Sequence, residues 1–295
     1  MKLAFIGIGV MGESIARNLM RGGHDMVIFN RTRQAGVERL LSEGAKWASS
    51  PQAAAACADV VFTMVGYPKD VEEVYCGENG VFAGAQTDVT VVDMTTSSPV
   101  LAKKLAAIGA DKKIDVLDAP VSGGDIGAKT GRLSVMVGGS DAAFQKIEPL
   151  LRLIGQKIVR QGDAGAGQYT KMVNQIVIAS NMMGVVEALC FAKAAGLNQE
   201  RVLDSIADGA AGSAALSNLG PRMLMGDFAP GFYIKHFIKD MGIAIASAAE
   251  MKLNLPALTL ANSLYGQLAA EGMENEGTQA LYRFYLTHYV NATDA

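Results

Sequence analysis

Six residues near the N-terminus, Gly7-Ile8-Gly9-Val10-Met11-Gly12, follow an apolar run and precede a helical pattern. This spacing is typical of the turn that holds the pyrophosphate of a dinucleotide. The first glycine permits the tight turn, the second lets the backbone approach the phosphates, and the third lets the helix pack on the sheet. Because a helix N-terminus also offers N–H groups and partial positive charge, we predict a dinucleotide site here.

The next apolar run ends at Asn30-Arg31-Thr32, and Asn30 lies 18 residues after the last glycine of the turn. NAD sites usually carry an acidic residue about 20 residues past the glycines, where it binds the ribose hydroxyls. No carboxylate stands at this position, and Arg31 and Thr32 can instead neutralise and hydrogen-bond a 2′-phosphate. We therefore predict NADP rather than NAD; the alternative interpretation is a solvated loop arginine.

Three polar residues, Lys171, Asn174 and Gln175, interrupt a long apolar helical pattern. Their spacing of three and four places them on one helix face. The apolar neighbours predict burial, and a buried lysine needs a partner or a function. A protonated lysine can donate a proton to a carbonyl oxygen, and a deprotonated one can accept the proton of an alcohol. Alternatively, Lys171 lies on an exposed first turn.

A second glycine-containing segment, Ser122-Gly123-Gly124, follows another apolar run. It combines a small hydroxyl side chain with two residues whose backbone N–H groups can approach an anion closely. The segment can therefore bind a carboxylate, although an ordinary strand-to-helix turn would use the same residues.

The elements that position these residues change in character near residue 163. Before that point, apolar runs alternate with helical patterns, which predicts a doubly wound α/β sheet, expected to be parallel. After it, helical patterns dominate and predict an all-α C-terminal domain. We therefore expect domains at residues 1–163 and 164–295. The predicted strands are residues 3–6, 26–30, 59–65, 89–93, 114–118, 133–137 and 157–160.

Composition narrows the classes of function. Lys and Arg number 26 against 29 Asp and Glu, a net charge of −3, which argues against a nucleic-acid binder. Three widely separated cysteines argue against a disulfide framework and favour a cytoplasmic location. The longest apolar segment, residues 172–195, contains polar groups that are costly in lipid, so we expect a buried helix and no membrane. The histidines form no metal-binding spacing, and no metal site is expected.

Two longer motifs carry a family resemblance: Asp118-Ala119-Pro120-Val121-Ser122-Gly123-Gly124 and Gly165-Ala166-Gly167-Gln168-Tyr169-Thr170-Lys171-Met172-Val173-Asn174-Gln175. With the N-terminal glycines and Lys239-Asp240, they closely resemble the β-hydroxyacid dehydrogenase family, which includes 3-hydroxyisobutyrate dehydrogenase and tartronate semialdehyde reductase. The resemblance runs from residue 1 to about residue 290. It implies a Rossmann domain and a helical domain, joined by a long helix, with the active site between them.

The resemblance also implies roles for individual residues. The matching lysine, Lys171, transfers the proton, and Asn174 and Gln175 orient Lys171 or the substrate. The Ser122-Gly123-Gly124 segment holds the substrate carboxylate. Gly66 replaces the proline that is commoner in its loop. Further cofactor contacts are implied at Val65, Gly66, Asp70, Thr96 and Lys239. Asp240 receives no catalytic role; it is a local partner of Lys239 or stabilises helix packing.

Two departures from the family pattern bear on the substrate. Gln175 stands where many members have asparagine, and Ala210-Ala211-Gly212-Ser213 stands where some carry an arginine. The Gly212-Ser213 and Asn174-Gln175 pairs are more similar to tartronate semialdehyde reductase than to 3-hydroxyisobutyrate dehydrogenase, so Ser213 is a candidate substrate contact. We expect an NADP(H)-dependent oxidoreductase that interconverts a small anionic β-hydroxyacid and its semialdehyde.

Three rival interpretations remain. Imine reductases of the same architecture replace the catalytic lysine, which this chain keeps. A 6-phosphogluconate dehydrogenase would be longer and would carry a His-Asn pair after the lysine. A non-catalytic NADP-binding sensor would bind the cofactor without turnover. The apolar faces of the helical domain, together with the family resemblance, predict a homodimer or homotetramer.

Overall fold

The computed structural model describes residues 1–290; the last five residues of the predicted C-terminal domain, 291–295, lie outside the described residues. Contacts divide the chain into two compact units, Met1–Lys171 and the part from Met172 onward. The sequence pattern changes near residue 163 because the last strand ends at Gly162. The first unit extends further because the first turn of the following helix is hydrogen-bonded to Asp118 in the sheet.

The first unit is built on one nine-stranded sheet. Its strands are β1 (Lys2–Ile6), β2 (Asp25–Phe29), β3 (Lys46–Trp47), β4 (Val60–Thr63), β5 (Thr90–Asp93), β6 (Asp115–Asp118), β7 (Val121–Ser122), β8 (Leu133–Gly138) and β9 (Gly155–Gly162). The order is β3-β2-β1-β4-β5-β6-β8-β7, and β9 pairs with β8.

The sheet is mixed, which corrects the expectation of a parallel sheet. The strands from β3 to β6 are parallel, but β8 runs antiparallel to β6 and β7, and β9 runs parallel to β8. The connection between β7 and β8, residues 123–132, is ten residues long. A parallel crossover needs a dozen or more residues, so this shorter connection returns the chain antiparallel.

Helices flank the sheet and form the second unit. They are α1 (Val10–Arg21), α2 (Ala35–Ser42), α3 (Pro51–Ala55), α4 (Pro68–Cys76), α5 (Val81–Gly84), α6 (Pro99–Asp111), α7 (Gly124–Thr130), α8 (Asp141–Leu151), α9 (Ala166–Ala194), α10 (Gln199–Ile206), α11 (Gly220–Leu224), α12 (Ile234–Glu250), α13 (Pro256–Ala270) and α14 (Leu281–His288). A π-helical turn at Ala215–Leu219 and a 3₁₀ turn at Thr278–Ala280 complete the described elements.

The sheet separates two apolar cores, and β1 shows why. Leu3 and Phe5 point into the core on one face, whereas Ala4 and Ile6 point into the core on the other. This alternation follows from the two-residue repeat of a strand, and both faces are buried, as in a doubly wound fold. Because β1, β4, β5 and β6 pair in parallel, their carboxyl ends lie along one edge of the sheet.

The second unit has its own core, formed by helices alone. Met182, Phe237 and Tyr265 are among its fully buried side chains. Among residues 1–290, α9 is the one helix long and apolar enough to span a membrane by length and composition, and half of its most apolar stretch is buried in the protein. Core helices meet the same criteria.

Candidate active site

The glycine turn after β1 leads directly into α1. Gly9 caps the helix with extended backbone, and Gly9 and Val10 are exposed at its N-terminus. A Cβ on Gly12 would clash with the carbonyl oxygen of Gly7, so the fold itself requires this glycine. A Cβ on Gly9 would meet no atom of residues 1–290 within 4 Å. The backbone at Gly9 is thus open to a ligand, as a pyrophosphate site requires.

Asn30, directly after β2, fixes the shape of this turn. Its Oδ1 accepts a hydrogen bond of 2.9 Å from the N–H of Ile8, and its Nδ2 donates to the carbonyl oxygen of Thr32 at 2.8 Å. One amide side chain thereby connects the glycine turn to the loop after β2. The predicted contact residues Asn30 and Thr32 are therefore brought together with the turn.

Arg31 extends from the same loop into solvent. Its side chain is 85% exposed, and a guanidinium nitrogen lies 3.8 Å from Asp70 Oδ1. The other carboxylate oxygen of Asp70 accepts the N–H of Tyr67 at 3.0 Å and caps α4. Arg31 is thus accessible to a phosphate, whereas Asp70 is engaged in holding the start of a helix.

Two loops at the carboxyl edge of the sheet are joined by Thr95. The N–H of Val65, after β4, donates to Thr95 Oγ1 at 3.0 Å. Thr95 is buried, whereas Val65, Gly66 and Thr96 are only partly buried. The structure therefore brings together the loops that contain the predicted cofactor residues Val65, Gly66 and Thr96.

Asp93, the last residue of β5, is a buried carboxyl group that sequence reasoning did not select. Its Oδ1 accepts hydrogen bonds from Thr63 Oγ1 at 2.9 Å and from the N–H of Thr95 at 3.0 Å. Burial raises its pKa from 3.8 to about 6, against the lowering effect of these hydrogen bonds. Asp93 therefore holds the loop that contains Thr95 through a hydrogen bond to its backbone.

Asp118, at the end of β6, is the second buried carboxyl group that was missed as a functional residue. Its Oδ1 accepts the N–H of Gly165 at 2.7 Å, and its Oδ2 accepts the N–H of Gln168 at 2.8 Å. Burial raises the pKa of Asp118, and these backbone donors oppose that rise. The carboxyl group holds the N-terminus of α9, where negative charge is favourable. An acidic residue that ends an apolar strand was the available signal for both groups.

The segment predicted to bind a carboxylate joins the end of β7 to the start of α7. Gly123 has φ +130° and Gly124 has φ +63°, so both positions favour glycine. Both are exposed, and Ser122 is partly buried. Backbone N–H groups next to such residues can approach an anion without interference from side chains.

Lys171 is buried beside this segment. Its side chain lies on α9 with 7% of the residue exposed, and its Nζ donates a hydrogen bond of 2.8 Å to the carbonyl oxygen of Val121. Val121 immediately precedes Ser122. The expected burial of Lys171 is confirmed, and the alternative of an exposed first-turn lysine is excluded.

Polar residues of the second unit form a hydrogen-bonded chain between α9 and α12. Asn174 Nδ2 donates to Gln175 Oε1 at 2.7 Å, and Gln175 Nε2 donates to Asp240 Oδ2 at 2.7 Å. Asp240 Oδ1 forms an ion pair with Lys239 Nζ at 3.0 Å. The chain links Asn174, Gln175 and Lys239, all selected from the sequence, and Asp240 is the local partner of Lys239.

Ser213 lies in the second unit but has a local role in the structure. Its Oγ accepts a hydrogen bond of 3.1 Å from the N–H of Leu216, in the π-helical turn. This local hydrogen bond is separate from the hydrogen-bonded chain formed by Asn174, Gln175, Asp240 and Lys239. No group of three or more His, Cys, Asp or Glu residues suited to a metal ion occurs among residues 1–290.

Two family models match successive parts of the chain. The first, described as the NAD binding domain of 6-phosphogluconate dehydrogenase, matches residues 2–162. The second, described as NAD-binding of NADP-dependent 3-hydroxyisobutyrate dehydrogenase, matches residues 165–285. The two matches include the glycine turn, the Ser122-Gly123-Gly124 segment and Lys171.

Known proteins resemble the chain over nearly its full length. It is 52% identical over 284 residues to an uncharacterized oxidoreductase, YkwC, of Bacillus subtilis, with 96% of this chain and 98% of that protein covered. It is 41% identical over 272 residues to the 2-hydroxy-3-oxopropionate reductase of Escherichia coli, with 92% of each covered. The structure of a 3-hydroxyisobutyrate dehydrogenase from Mycobacterium tuberculosis, with L-serine, matches with a TM-score of 0.88 at 29% identity, covering 96% of this chain and 98% of that one.

Proposed function

Because the chain belongs to the β-hydroxyacid dehydrogenase family, we propose that it interconverts a small β-hydroxyacid and its semialdehyde with NADP(H), using Lys171 as general acid and base. Because the matching families bind NAD(P) and the relatives include a named reductase, the chain is an NAD(P)-dependent dehydrogenase. The observation that carries the proposal is the buried amine of Lys171, which is held 2.8 Å from Val121 O beside the Ser122-Gly123-Gly124 segment. That arrangement supports the proposal, because the amine can act as a proton donor beside backbone N–H groups that can bind an anion.

The residues of the first unit fit a dinucleotide. The open backbone at Gly9 and the N-terminus of α1 would receive the pyrophosphate, and the loops at Val65 and Thr96 would contact the nicotinamide half. When bound, the nicotinamide supplies the hydride chemistry. The protein contributes position, charge and the accompanying proton.

Lys171 performs the proton transfer in this proposal. In the reducing direction, its ammonium group donates a proton to the carbonyl oxygen of the semialdehyde, which becomes the hydroxyl oxygen of the product. In the oxidising direction, the neutral amine accepts the hydroxyl proton. General acid–base catalysis of this kind typically contributes 10²–10⁴-fold to the rate. The hydrogen bond to Val121 O orients the amine for both steps.

Substrate binding is assigned to groups that recognise a carboxylate. The N–H groups at Gly123 and Gly124 and the hydroxyl of Ser122 would hold it, and Lys239 adds positive charge. Asn174 and Gln175 would orient the substrate or its neighbours. The hydrogen-bonded chain through Asp240 supports this role, because it fixes the Gln175 amide and the Lys239 ammonium in one arrangement.

NADP is proposed as the preferred cofactor because of Arg31. Its guanidinium group is exposed beside the glycine turn and can form a charge-assisted bidentate interaction with a 2′-phosphate. Among semialdehydes, tartronate semialdehyde (2-hydroxy-3-oxopropionate) is favoured. The Asn174-Gln175 and Gly212-Ser213 pairs support it, as does the 41% identity to a reductase named for that compound.

The test is NADPH oxidation with a panel of tartronate semialdehyde, methylmalonate semialdehyde, succinic semialdehyde, glyoxylate and a cyclic imine. We expect turnover of at least one semialdehyde and a loss of about 10² or more in kcat for Lys171→Ala. Lys193→Ala, an exposed lysine at the other end of α9, is the matched control and keeps the wild-type rate.

Other results would overturn specific parts of the proposal. Equal turnover by Lys171→Ala would remove the acid–base role. Turnover of the imine alone would favour an imine reductase, and tight NADPH binding without turnover would favour a sensor. Tighter binding of NADH than of NADPH would exclude the role given to Arg31.

A further inference from the structure

Gln168 is a fully buried amide in the first turn of α9, three residues before Lys171. Its Oε1 accepts the N–H of Ser97 at 2.9 Å, and its Nε2 donates to the carbonyl oxygen of Thr95 at 2.7 Å. Its own N–H donates to Asp118 Oδ2 at 2.8 Å. A single side chain therefore ties the N-terminus of α9 to the loop after β5 through two backbone hydrogen bonds.

The loop that Gln168 holds is itself connected to the predicted cofactor loop. Thr95 Oγ1 accepts the N–H of Val65, so hydrogen bonds run without a break from Val65 through Thr95 to Gln168. Lys171 follows Gln168 by three residues, which places the two side chains on one face of the helix. This series of hydrogen bonds thus begins at the loop that contains Val65 and ends one helical turn from the amine of Lys171.

The surroundings of Asp118 leave this part of α9 little freedom. A Cβ on Gly138 or on Gly167 would overlap the carboxylate of Asp118, so the backbone packs directly against that group. Residues in such close packing occupy one arrangement or a distinctly different one, because packed interiors do not deform gradually. The first turn of α9 is therefore held by a few specific contacts with the sheet, and the two hydrogen bonds of the Gln168 side chain are among them.

We propose that Gln168 is a positioning residue that couples the cofactor loop at Val65 to the proton-transferring amine of Lys171. The inference rests on the proposed function. Cofactor contact with the Val65 loop fixes Thr95, the amide of Gln168 transmits that constraint to the first turn of α9, and Lys171 is held at its hydrogen bond with Val121 O. Gln168 itself does not touch the reacting atoms.

The sharpest variant is Gln168→Glu, because its effect depends on a proton. One carboxyl oxygen can still accept the N–H of Ser97. The other replaces Nε2 and faces the carbonyl oxygen of Thr95, where an ionised carboxylate is repelled and a protonated carboxylic acid donates as the amide did. The ratio of variant to wild-type kcat should therefore be at least about tenfold higher at acidic than at alkaline pH, since misplacement of about 1 Å can cost 10²-fold in rate. The KM for the semialdehyde should stay unchanged.

Two further variants separate positioning from general destabilisation. Gln168→Met keeps the length of the side chain without its amide, and its kcat should be low at every pH. Gln279→Glu is the matched control, because Gln279 is also a buried glutamine whose Nε2 donates to two backbone carbonyls, those of Asp227 and Ala229. Its kcat ratio should be flat with pH. A flat ratio for Gln168→Glu, or parallel behaviour of the two Glu variants, would overturn the proposal.

A measurement without substrate distinguishes failure of this inference from failure of the proposed function. Addition of NADPH should slow amide hydrogen exchange in residues 165–171 of the wild type, and this protection should be lost in Gln168→Met. Protection in the wild type without turnover of any substrate would refute the proposed function and leave the coupling intact. Equal protection in wild type and variant would refute the coupling, whatever the activity.

Discussion

Asp93 shows how a single buried group can determine the response of the protein to pH. Burial raises its pKa from 3.8 to about 6, so the folded protein holds this proton more tightly than the unfolded chain does. This contribution to stability is complete below about pH 4 and is lost as the pH rises through about 6. At neutral pH, Asp93 is therefore ionised in the folded protein, although its buried surroundings favour the protonated form.

Asp93→Asn should stabilise the first unit above pH 6 and have no such effect below about pH 4. The amide can keep the Oδ1 acceptor for Thr63 and Thr95 while removing the buried charge, which gives a gain on the order of 2 kcal/mol at neutral pH. Urea unfolding followed through Trp47 measures it, because this sole tryptophan lies in β3. Asp115→Asn, at an exposed position of β6, is the control. Lower stability of Asp93→Asn at neutral pH would contradict this account.

Single residues differ in how far the sequence alone reveals them. Lys171 could be predicted because it stands in a local motif, and its burial followed from apolar neighbours. Asp118 and Gln168 could not, because their partners lie 47 to 73 residues away along the chain. Only the arrangement of strand ends at one edge of the sheet brings these groups together. A polar residue that ends an apolar strand or begins a buried helix was the available signal.

At the scale of elements, two glycines of the N-terminal turn have different roles, because Gly12 is needed for the fold and Gly9 for the ligand. Gly12 is required where α1 packs closely on the turn, whereas the space around Gly9 is open. Gly12→Ala should therefore destabilise the protein by about 2 kcal/mol through overpacking. Gly9→Ser, which supplies a good N-cap, should keep the melting temperature but weaken NADPH binding at least about tenfold, because its side chain fills the approach of the phosphates.

Thermal unfolding and a fluorescence titration with NADPH measure the two effects separately. The expected pattern is loss of stability in one variant and loss of affinity alone in the other. Wild-type NADPH affinity in Gly9→Ser would mean that the phosphates do not approach this turn, and the assignment of the cofactor site would be wrong.

Most elements could be predicted because their patterns are long and strongly apolar. Helix α1 follows the glycine turn as predicted, and the predicted strands in the first half correspond to strands in the sheet. The two-residue strands β3 and β7 were missed, since two residues show no periodicity. The antiparallel direction of β8 was also missed. It depends on the length of the preceding connection and on pairing across the sheet, neither of which is visible in the apolar pattern.

At the scale of the whole molecule, two units with separate cores share one continuous helix. The first residues of α9 are fixed to the sheet by Asp118 and Gln168, and its remaining turns contribute to the helical core. Lys171 ends one unit and Asn174 lies in the next. The change from alternating strands to helices made this organisation predictable, but the point at which contacts divide depends on the anchoring of α9.

Apolar side chains on the outward face of α9 support the expectation that the protein is a homodimer or homotetramer. Val173, Val177 and Phe191 recur at helical spacing and are exposed by 61%, 53% and 75%. Gly184 lies on the same face, and a Cβ there would meet no atom of the described part of the chain within 4 Å. Glycine inside a helix costs about 1 kcal/mol relative to alanine, and no neighbour among the described residues requires it here. We propose that the same face of a second copy covers these residues.

Light scattering of the wild type should therefore give the mass of two or four chains, and Phe191→Arg should shift it towards one. Burial of a phenylalanine contributes about 2 kcal/mol from each copy, and an unpaired arginine in its place adds a desolvation cost, so association should weaken by more than about 100-fold. Val100→Arg changes a similarly exposed apolar residue on α6 and should leave the mass unchanged, which controls for added surface charge. An unaltered mass for Phe191→Arg would place the interface elsewhere, whereas a single-chain wild type would refute the assembly itself.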